Sequence, residues 1–204
     1  MAAPDTLLKP EECAMLLVDF QAGLGFGVES MPVQVVLNNA VALARTAAAF
    51  KVPVIASTSA SRVYSGPLLP GLQEALPSVK AIERKSMNAW EDEPVRNAVV
   101  AAKRQRLIVA RFLTEACVSF PVLSALKDGF EVFVVADTCG GLTPASHEYA
   151  LRRMEQAGAR LTSWIQVCWS FSATGHATKR TKRRAPSSSR TAAVMGWASP
   201  MRER

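Results

Sequence analysis

Short apolar segments that alternate with longer segments of helical periodicity restrict the fold of this chain more than any other feature. The segment CAMLLVDF at 13–20 is followed by helical periodicity at 33–50 and by a second apolar segment, VPVIAST, at 52–58. The alternation continues, with helical segments at 93–103, 115–127 and 145–157 and apolar segments at 106–112, 131–137 and 159–164. Strands that are apolar on both faces and alternate with helices are typical of a parallel sheet covered by helices on both sides. The pattern predicts an α/β fold with three αβα layers and a mostly parallel, Rossmann-like sheet.

The loops that follow the predicted strands are the first place to look for a functional site. In open parallel sheets, ligands bind at the carboxyl ends of the strands. This rule selects the loops that come after Asp19, Thr58, Phe112 and Asp137.

The chain has 204 residues, of which 49% are apolar, and this size suits one sizeable domain with a closed core. No apolar run approaches the roughly 20 residues that a membrane-spanning helix needs. Residues 1–12 mix charges with prolines and lack the apolar segment of a secretory signal. We therefore expect a cytoplasmic protein with no membrane partner. The four cysteines are irregularly spaced and form no CxxC pair, so free thiols are expected rather than a zinc site or a disulfide framework.

The C-terminal segment differs from the rest of the chain in composition. Residues 167–204 contain eight Lys or Arg and one Glu, which accounts for the whole net charge of +7. Apolar periodicity stops there, and Ser, Thr and Arg become frequent, as in disordered segments. We therefore assign the domain to residues 1–166 and predict that residues 167–204 form a basic, low-complexity tail outside the core.

Cys117 is placed as a nucleophile would be. The strand predicted at 106–112 leads into Thr114 and Glu115 and then into a helix, so Thr114 is a plausible N-cap and Cys117 lies in the first helical turn. Backbone N–H groups and the positive end of the helix dipole favour a thiolate at such a position. Considered alone, the residue would more often be an ordinary buried cysteine, since Cys is among the most buried residue types.

Several motifs occur together and in order: MLLVDFQAG, RKSMNAWED, LTEACVSFPVLSALKDGFEVFVVADTCGG and HEYALRRMEQAGARLTSW. Over about residues 12–166 the chain resembles the isochorismatase-like cysteine hydrolases, which include nicotinamidases and carbamoylsarcosine amidases. The resemblance is greatest to a branch of small bacterial hydrolases, mostly of unassigned substrate. It implies hydrolysis of a small amide or related C–N substrate through a cysteine thioester.

The resemblance also implies a catalytic triad of Asp19, Lys85 and Cys117. The thiolate attacks a carbonyl, the carboxylate carries the proton to the leaving amine, and the ammonium holds both anions in place. In better-known members the lysine lies about six residues before an aromatic residue. Here Lys85 lies five residues before Trp90 and Arg84 lies six, so Arg84 is the alternative cation. Its high pKa would limit it to charge and orientation.

Further site features follow from the same resemblance. The backbone N–H groups of Leu113 and Cys117 would hold the oxyanion, and the Leu113–Thr114 peptide would be cis. Arg111 stands where relatives have glycine, and it could either tune the thiolate or obstruct the pocket. The expected substrate pocket is lined by Phe20, Asn88, Trp90 and Thr114.

No metal and no cofactor are expected. Nicotinamidases carry an Asp and two histidines after the second strand, whereas this chain has STSASRVYSGPLLPG there. Its two histidines, His147 and His176, form no ligand cluster, so nicotinamidase activity is disfavoured. His147 is expected at a helix surface or an interface. Relatives form oligomers of two to eight subunits, so a homo-oligomer that binds a small-molecule substrate is expected.

The tail has two competing interpretations. Relatives continue with Glu-Leu-Gln-Arg-Asp-Trp-Ala-Arg, and codons for this chain from about Trp169, read from their third base, can encode that segment. We therefore hypothesise that the tail from about Val167 is a frame-shifted product. The alternative, a nucleic-acid-binding tail built on KRTKRR, is disfavoured because frame-shifted GC-rich DNA yields Arg, Ala and Ser without selection for binding. For the whole chain, the alternative to a hydrolase is a non-catalytic Rossmann-like binding or interaction domain that lost activity through Arg111 or the altered C-terminus.

Overall fold

The computed structural model describes residues 7–175, which form a six-stranded parallel sheet between helices. The strand order is β3-β2-β1-β4-β5-β6, and every pairing is parallel. The strands are β1 (Cys13–Val18), β2 (Val54–Ser59), β3 (Ile82–Arg84), β4 (Arg106–Arg111), β5 (Glu131–Val135) and β6 (Arg160–Thr162). The predicted α/β fold with a parallel sheet is confirmed.

Seven α-helices connect the strands or follow them within the described residues. They are α1 (Ala22–Gly25), α2 (Val33–Ala49), α3 (Pro70–Ala75), α4 (Glu93–Ala101), α5 (Ser119–Lys127), α6 (Pro144–Gln156) and α7 (Trp164–Thr174). Two single π-helical turns, Ser61–Ser65 and Thr114–Val118, follow β2 and β4. Short 3₁₀ turns lie at Pro10–Glu12 and Ala136–Thr138.

The sheet separates two apolar clusters, because successive side chains of each strand point to opposite faces. From β1, Met15 and Leu17 enter one cluster, which contains the buried faces of α2, α3 and α7. Leu16 and Val18 enter the other, which contains those of α4, α5 and α6. Every residue of β1 and β4 is buried. This double burial explains why their sequences are almost continuously apolar.

The direction of strand addition reverses beside β1. The chain proceeds from β1 to β2 and β3 on one side, and then returns to place β4 on the other side of β1. Val18, at the end of β1, is in register with Arg111, at the end of β4. The carboxyl ends of β1 and β4 therefore flank the switch point of the sheet, where open α/β folds bind ligands.

The prediction that the chain leaves the core after residue 166 is wrong for residues 167–174. Helix α7 begins after a capping box between Ser163 and Gln166, and its residues Val167 and Phe171 are fully buried against α2. The apolar positions 164, 167, 168 and 171 have the i, i+3, i+4, i+7 spacing of an amphipathic helix. The basic residues from Lys179 onward, and with them the nucleic-acid hypothesis, lie outside the described residues.

Two further differences between the predicted and the observed secondary structure concern short strands. Strand β3 has only three residues and no apolar run, so sequence periodicity does not predict it. The last strand ends at Thr162 rather than at Trp164, because Ser163 caps the following helix. Within residues 7–175, no helix has the length and apolarity required to cross a membrane.

Candidate active site

Four buried ionisable side chains lie at the carboxyl ends of neighbouring strands. Asp19 follows β1, Arg84 ends β3, Arg111 ends β4, and Cys117 lies in the π-helical turn after β4. Asp19, Arg84 and Arg111 are each at least 96% buried, and Cys117 is only 6% exposed. Charged side chains are rarely buried to this extent unless they are paired. The cluster therefore has the composition of a functional site rather than of ordinary core.

The backbone is held in an unusual conformation where Asp19 leaves the sheet. Asp19 has a φ of +53°, in the left-handed region that residues other than glycine seldom adopt. Its N–H donates to the Ser57 carbonyl at 2.9 Å, and its own carbonyl accepts from Gln21 N–H at 2.9 Å. The buried Gln21 side chain fastens the turn to β2, donating to the Ser59 carbonyl at 3.1 Å and accepting from Ser59 N–H at 3.0 Å. This network directs the Asp19 carboxylate toward the neighbouring strands.

Two guanidinium groups hold the same oxygen of Asp19. Arg84 Nη2 and Arg111 Nη2 both donate to Asp19 Oδ2. The other carboxylate oxygen, Oδ1, is buried and has no hydrogen-bond partner among the described residues. Asp19 therefore has one oxygen fixed by charge and one free to accept a proton or an N–H group.

The turn that carries Cys117 begins with strained backbone. Leu113 has a φ of +57°, and the Thr114 N–H donates to the Gly140 carbonyl at 3.0 Å. The Thr114 hydroxyl shares a hydrogen bond of 2.8 Å with His147 Nδ1, and Arg111 Nη1 donates to the Cys117 carbonyl. Single π-helical turns and left-handed residues other than glycine are both common at functional sites.

Burial raises the pKa of the Cys117 thiol. The positive charges of Arg111 and Arg84 oppose the increase, whereas the Asp19 carboxylate adds to it. Burial raises the pKa of Cys13 and of Cys139 to about 12. The position at a helix start was expected to favour a thiolate, but in this structure burial has the larger effect on the Cys117 pKa. Cys117 still differs from the other three buried cysteines, because only its thiol has a cationic side chain, Arg111, as a hydrogen-bond donor that lowers its pKa.

Of the two proposed cations, the structure brings Arg84 to Asp19. Lys85 is exposed, and its backbone N–H lies 3.4 Å from Asp92 Oδ2. The two side chains differ because Arg84 occupies the inward-facing position at the end of β3, so the next residue points outward. The primary assignment to Lys85 thus disagrees with the geometry, and the alternative, Arg84, agrees with it.

The Leu113–Thr114 peptide is trans, as are the other peptide bonds between residues 7 and 175, so the expected cis bond is wrong. The proposed oxyanion donor at Cys117 also has a different role here. Its N–H donates to the Leu113 carbonyl at 3.0 Å, because the turn from Thr114 already forms helical hydrogen bonds. An oxyanion site at Leu113 and Cys117 would require this hydrogen bond to open, and it stays a prediction.

The residues expected to line the substrate pocket are buried. The amide of Asn88 donates to Glu91 and Ser124, and Trp90 Nε1 donates to Asp128 at 2.7 Å. Phe20 packs edge-to-face on Phe112, with 5.1 Å between ring centroids. Thr114 lies in the π-helical turn that carries Cys117. A pocket role for Phe20, Asn88, Trp90 and Thr114 stays a prediction, because their polar side-chain atoms and rings already contact protein groups.

Two surface grooves lie elsewhere in the described chain. One, of about 540 Å³, lies between the N-terminal segment, β6 and α7 and includes Leu7, Leu161 and Trp169. The other, of about 460 Å³, lies beside β3 and α3. Neither is lined by Asp19, Cys117 or the two arginines. A cluster of buried ionisable groups at strand ends indicates a functional site more directly than the volume of a groove does, so the cluster around Asp19 is the candidate site.

His147 is the residue whose importance the sequence did not indicate. It is buried rather than at a helix surface, and burial lowers its pKa below 6.5. Its contact with Thr114 joins α6 to the turn that carries Cys117. In the sequence, the one indication of its location is that His147 follows Thr143, the N-cap of α6, by four residues and so lies near the start of the helix. Within residues 7–175, no three His, Cys, Asp or Glu side chains are grouped to hold a metal ion.

Comparison with known proteins places this geometry in a family. Residues 13–166 match the isochorismatase domain. The chain is 40% identical over 168 residues to the probable hydrolase YcaC of Escherichia coli strain K12, a match that covers 82% of this chain and 81% of YcaC.

Solved structures give the same result. The YcaC gene product of E. coli, described as an octameric hydrolase of unknown specificity, superposes with a TM-score of 0.81 at 39% identity, covering 84% of this chain and 85% of that one. YcaC of Pseudomonas aeruginosa, solved with hexane-2,5-diol and covalent acrylamide, has the same score and identity and covers 84% and 86%. The chain therefore belongs to the isochorismatase-like hydrolase family.

Proposed function

We propose that this protein is a cysteine hydrolase that cleaves a small amide or related C–N substrate through a thioester on Cys117. The observation that carries the proposal is the hydrogen bonding of the two carboxylate oxygens of Asp19. One of its oxygens is fixed by two guanidinium groups, and the other is buried and unpartnered. A carboxylate held in this way beside a thiol has the form of a proton carrier that serves a nucleophile.

The proposed reaction begins with transfer of the Cys117 thiol proton to Asp19 Oδ1. The thiolate attacks the substrate carbonyl carbon, and the carbonyl electron pair moves to its oxygen. When the oxyanion collapses, the C–N bond breaks and the leaving nitrogen takes the proton from Asp19. Water then attacks the thioester, with Asp19 as the base, and the acid product leaves as the Cys117 thiol is regenerated.

Arg84 would serve this reaction through charge. A guanidinium stays protonated near neutral pH, so Arg84 cannot carry the proton itself. Its contact with Asp19 Oδ2 would hold the carboxylate in position, and its positive charge would offset the anions formed during the reaction. The role first assigned to Lys85 is therefore proposed for Arg84.

The relatives support a covalent mechanism in general terms. Acrylamide is an electrophile, and the P. aeruginosa YcaC structure contains it in covalent form. The E. coli relative is a hydrolase of unknown specificity, so we propose the substrate only as a chemical class. No cofactor is included in the proposal, and a cytoplasmic location stays a prediction.

We also infer that the protein is a homo-oligomer. Large apolar side chains are exposed in loops that follow the strands, and a patch of such residues on a protein surface commonly marks an interface. They are Phe26, Val63, Tyr64, Met87 and Leu142, each between 51% and 90% exposed. The octameric state of the E. coli relative supports this inference.

One observation favours the alternative of an inactive binding domain. Cys117 is only 6% exposed, and the fully buried side chain of Arg111 bonds to its backbone carbonyl. A site that never opens would bind no substrate. Experiment separates the two functions, because only a hydrolase forms an acyl adduct.

The test is a screen of small primary amides and related C–N compounds, with intact-mass spectrometry of the quenched protein. Wild type should hydrolyse at least one compound and carry a transient acyl mass on the Cys117 peptide. Cys117→Ser should lose both, whereas Cys168→Ser, a buried cysteine in α7, should keep both. Hydrolysis that persists in Cys117→Ser would overturn the thioester mechanism, and no turnover by wild type across the screen would favour the binding domain.

A further inference from the structure

Arg111 is the largest fully buried side chain in the described part of the protein. It ends β4, in register with Val18 at the end of β1. Its backbone carbonyl accepts from the Gly140 N–H at 3.3 Å, in the loop after β5. The residue is therefore enclosed by the ends of three strands. Its guanidinium needs internal partners, because water does not reach it.

Those partners are the Asp19 carboxylate and the backbone of Cys117. Nη2 donates to Asp19 Oδ2, and Nη1 donates to the backbone carbonyl of Cys117. A single planar guanidinium thus connects the carboxylate that follows β1 to the turn that carries the nucleophile. Arg84 cannot do the same, since its Nη1 donates to the Ser86 carbonyl, on its own segment.

The charges around the site do not balance while Cys117 is a thiol. Arg84 and Arg111 are two buried cations, and Asp19 is one buried anion. Cys139, which also lies beside Arg111, is fully buried, and its pKa of about 12 keeps it neutral. Loss of the Cys117 proton to solvent would balance the excess positive charge, and after transfer of that proton to Asp19 the two cations face a single anion, the thiolate. Since an uncompensated buried charge is unfavourable, the second arginine favours the thiolate.

We propose that Arg111 is a positioning residue of the hydrolase, which fixes Asp19 and the Cys117 turn relative to each other and supplies the positive charge that balances the Cys117 thiolate. The proposal rests on the proposed function, and it extends that function with a second cation beside Arg84. It chooses between two roles left open by the sequence, tuning of the thiolate and obstruction of the pocket. The deciding observation is that one terminal nitrogen of Arg111 bonds to the Asp19 carboxylate and the other to the backbone carbonyl of Cys117.

The experiment measures alkylation of Cys117 by iodoacetamide as a function of pH, with peptide mapping, in wild type, Arg111→Lys, Arg111→Met and Arg111→Gly. An opposite charge within a few ångströms lowers a pKa by about 1–3 units, so its loss should slow alkylation about tenfold or more at a fixed pH below the thiol pKa. We expect this loss in Arg111→Met and Arg111→Gly. Arg111→Lys keeps the charge and should recover most of the wild-type rate. Arg84→Lys is the matched control for a conservative change at the other cation.

The outcomes distinguish a positioning role of Arg111 from a purely structural one, and they can be read without knowing whether the protein is a hydrolase. A purely structural role predicts that the pH profile of Cys117 is the same in every variant that remains folded by circular dichroism. That result would overturn the proposal, and so would faster alkylation or faster turnover in Arg111→Gly, which would show obstruction. If Arg111→Met fails to fold, Arg111→Gly decides: a tenfold loss in Arg111→Gly together with a rate near wild type in Arg111→Lys supports the proposal, and a wild-type pH profile in Arg111→Gly overturns it. Alkylation needs no substrate, so it remains informative even if the hydrolysis screen finds no activity.

Discussion

Replacing Phe171 by alanine tests whether α7 is part of the core. The ring is fully buried in the cluster that contains α2, and its centroid lies 5.6 Å from that of Phe50. A buried Phe→Ala change costs about 3–5 kcal/mol, because apolar contacts are lost and a cavity remains. In a chain of this size each kcal/mol lowers the Tm by about 2–4 °C, so the expected decrease is about 6–20 °C.

The measurement is urea unfolding, followed by circular dichroism and tryptophan fluorescence, together with a thermal scan. Trp169→Ala is the matched control, because Trp169 lies on the same helix, is also aromatic and is 44% exposed. Surface substitutions usually change stability by less than about 0.5 kcal/mol, so the control should unfold close to wild type. Both variants introduce alanine into α7, so helix propensity changes similarly in each.

The opposite result is informative. If Phe171→Ala unfolds within about 0.5 kcal/mol of wild type, the margin typical of a surface site, α7 is not packed as described and the core ends near residue 166. If both variants lose the same stability, the effect comes from the helix as a whole and not from burial of one ring.

Four further predictions concern the site, the assembly and the gene. Arg84→Met should lower kcat/KM by about 100-fold or more, the range typical of groups that support proton transfer, whereas Lys85→Met should leave it nearly unchanged; equal losses would contradict the choice of Arg84. Burial lowers the pKa of His147 below 6.5, so the unfolded state binds the proton more readily and stability should fall as the pH drops below about 6.5. Urea titrations at several pH values should show this decline, and His147→Asn should reduce it. Light scattering after gel filtration should find an oligomer in wild type and smaller species in Phe26→Asp, while a monomeric wild type would contradict the inferred assembly. Sequencing the gene tests the frame-shift hypothesis, which requires the shifted frame from about Val167 to encode the C-terminal segment typical of relatives.

The features that could be predicted depend on long, regular patterns. Burial on both faces requires apolar side chains throughout β1 and in the four central residues of β4, and the strand-end rule then selects Asp19 and the loop with Cys117. These observations were enough to predict the parallel sheet and the approximate position of the site. A full-length amphipathic helix such as α2 is also recognisable from its periodicity.

The features that could not be predicted depend on single-residue geometry. Arg84 and Lys85 are adjacent, and only the strand alternation of the three-residue β3 decides which of them faces Asp19. The pairing of one Asp19 oxygen with two arginines requires β1, β3 and β4 to be assembled first. The hydrogen bond between His147 and Thr114 likewise joins residues 33 positions apart. Secondary-structure propensities do not predict contacts between residues that are distant in the sequence.

The packing of helix α7 against the sheet neither requires nor rules out that its sequence arose by a frame shift. A helix that covers one face of a sheet needs apolar side chains at a few spaced positions, and cores tolerate many apolar choices if volume and pattern are kept. Residues 164, 167, 168 and 171 satisfy that pattern, and Ser163 with Gln166 supplies the cap. A frame-shifted segment could meet these few requirements by chance, whereas the specific polar contacts of a conserved terminus would be lost. The frame-shift proposal is therefore compatible with a packed α7, and its cost should be sought in assembly and substrate binding rather than in the fold.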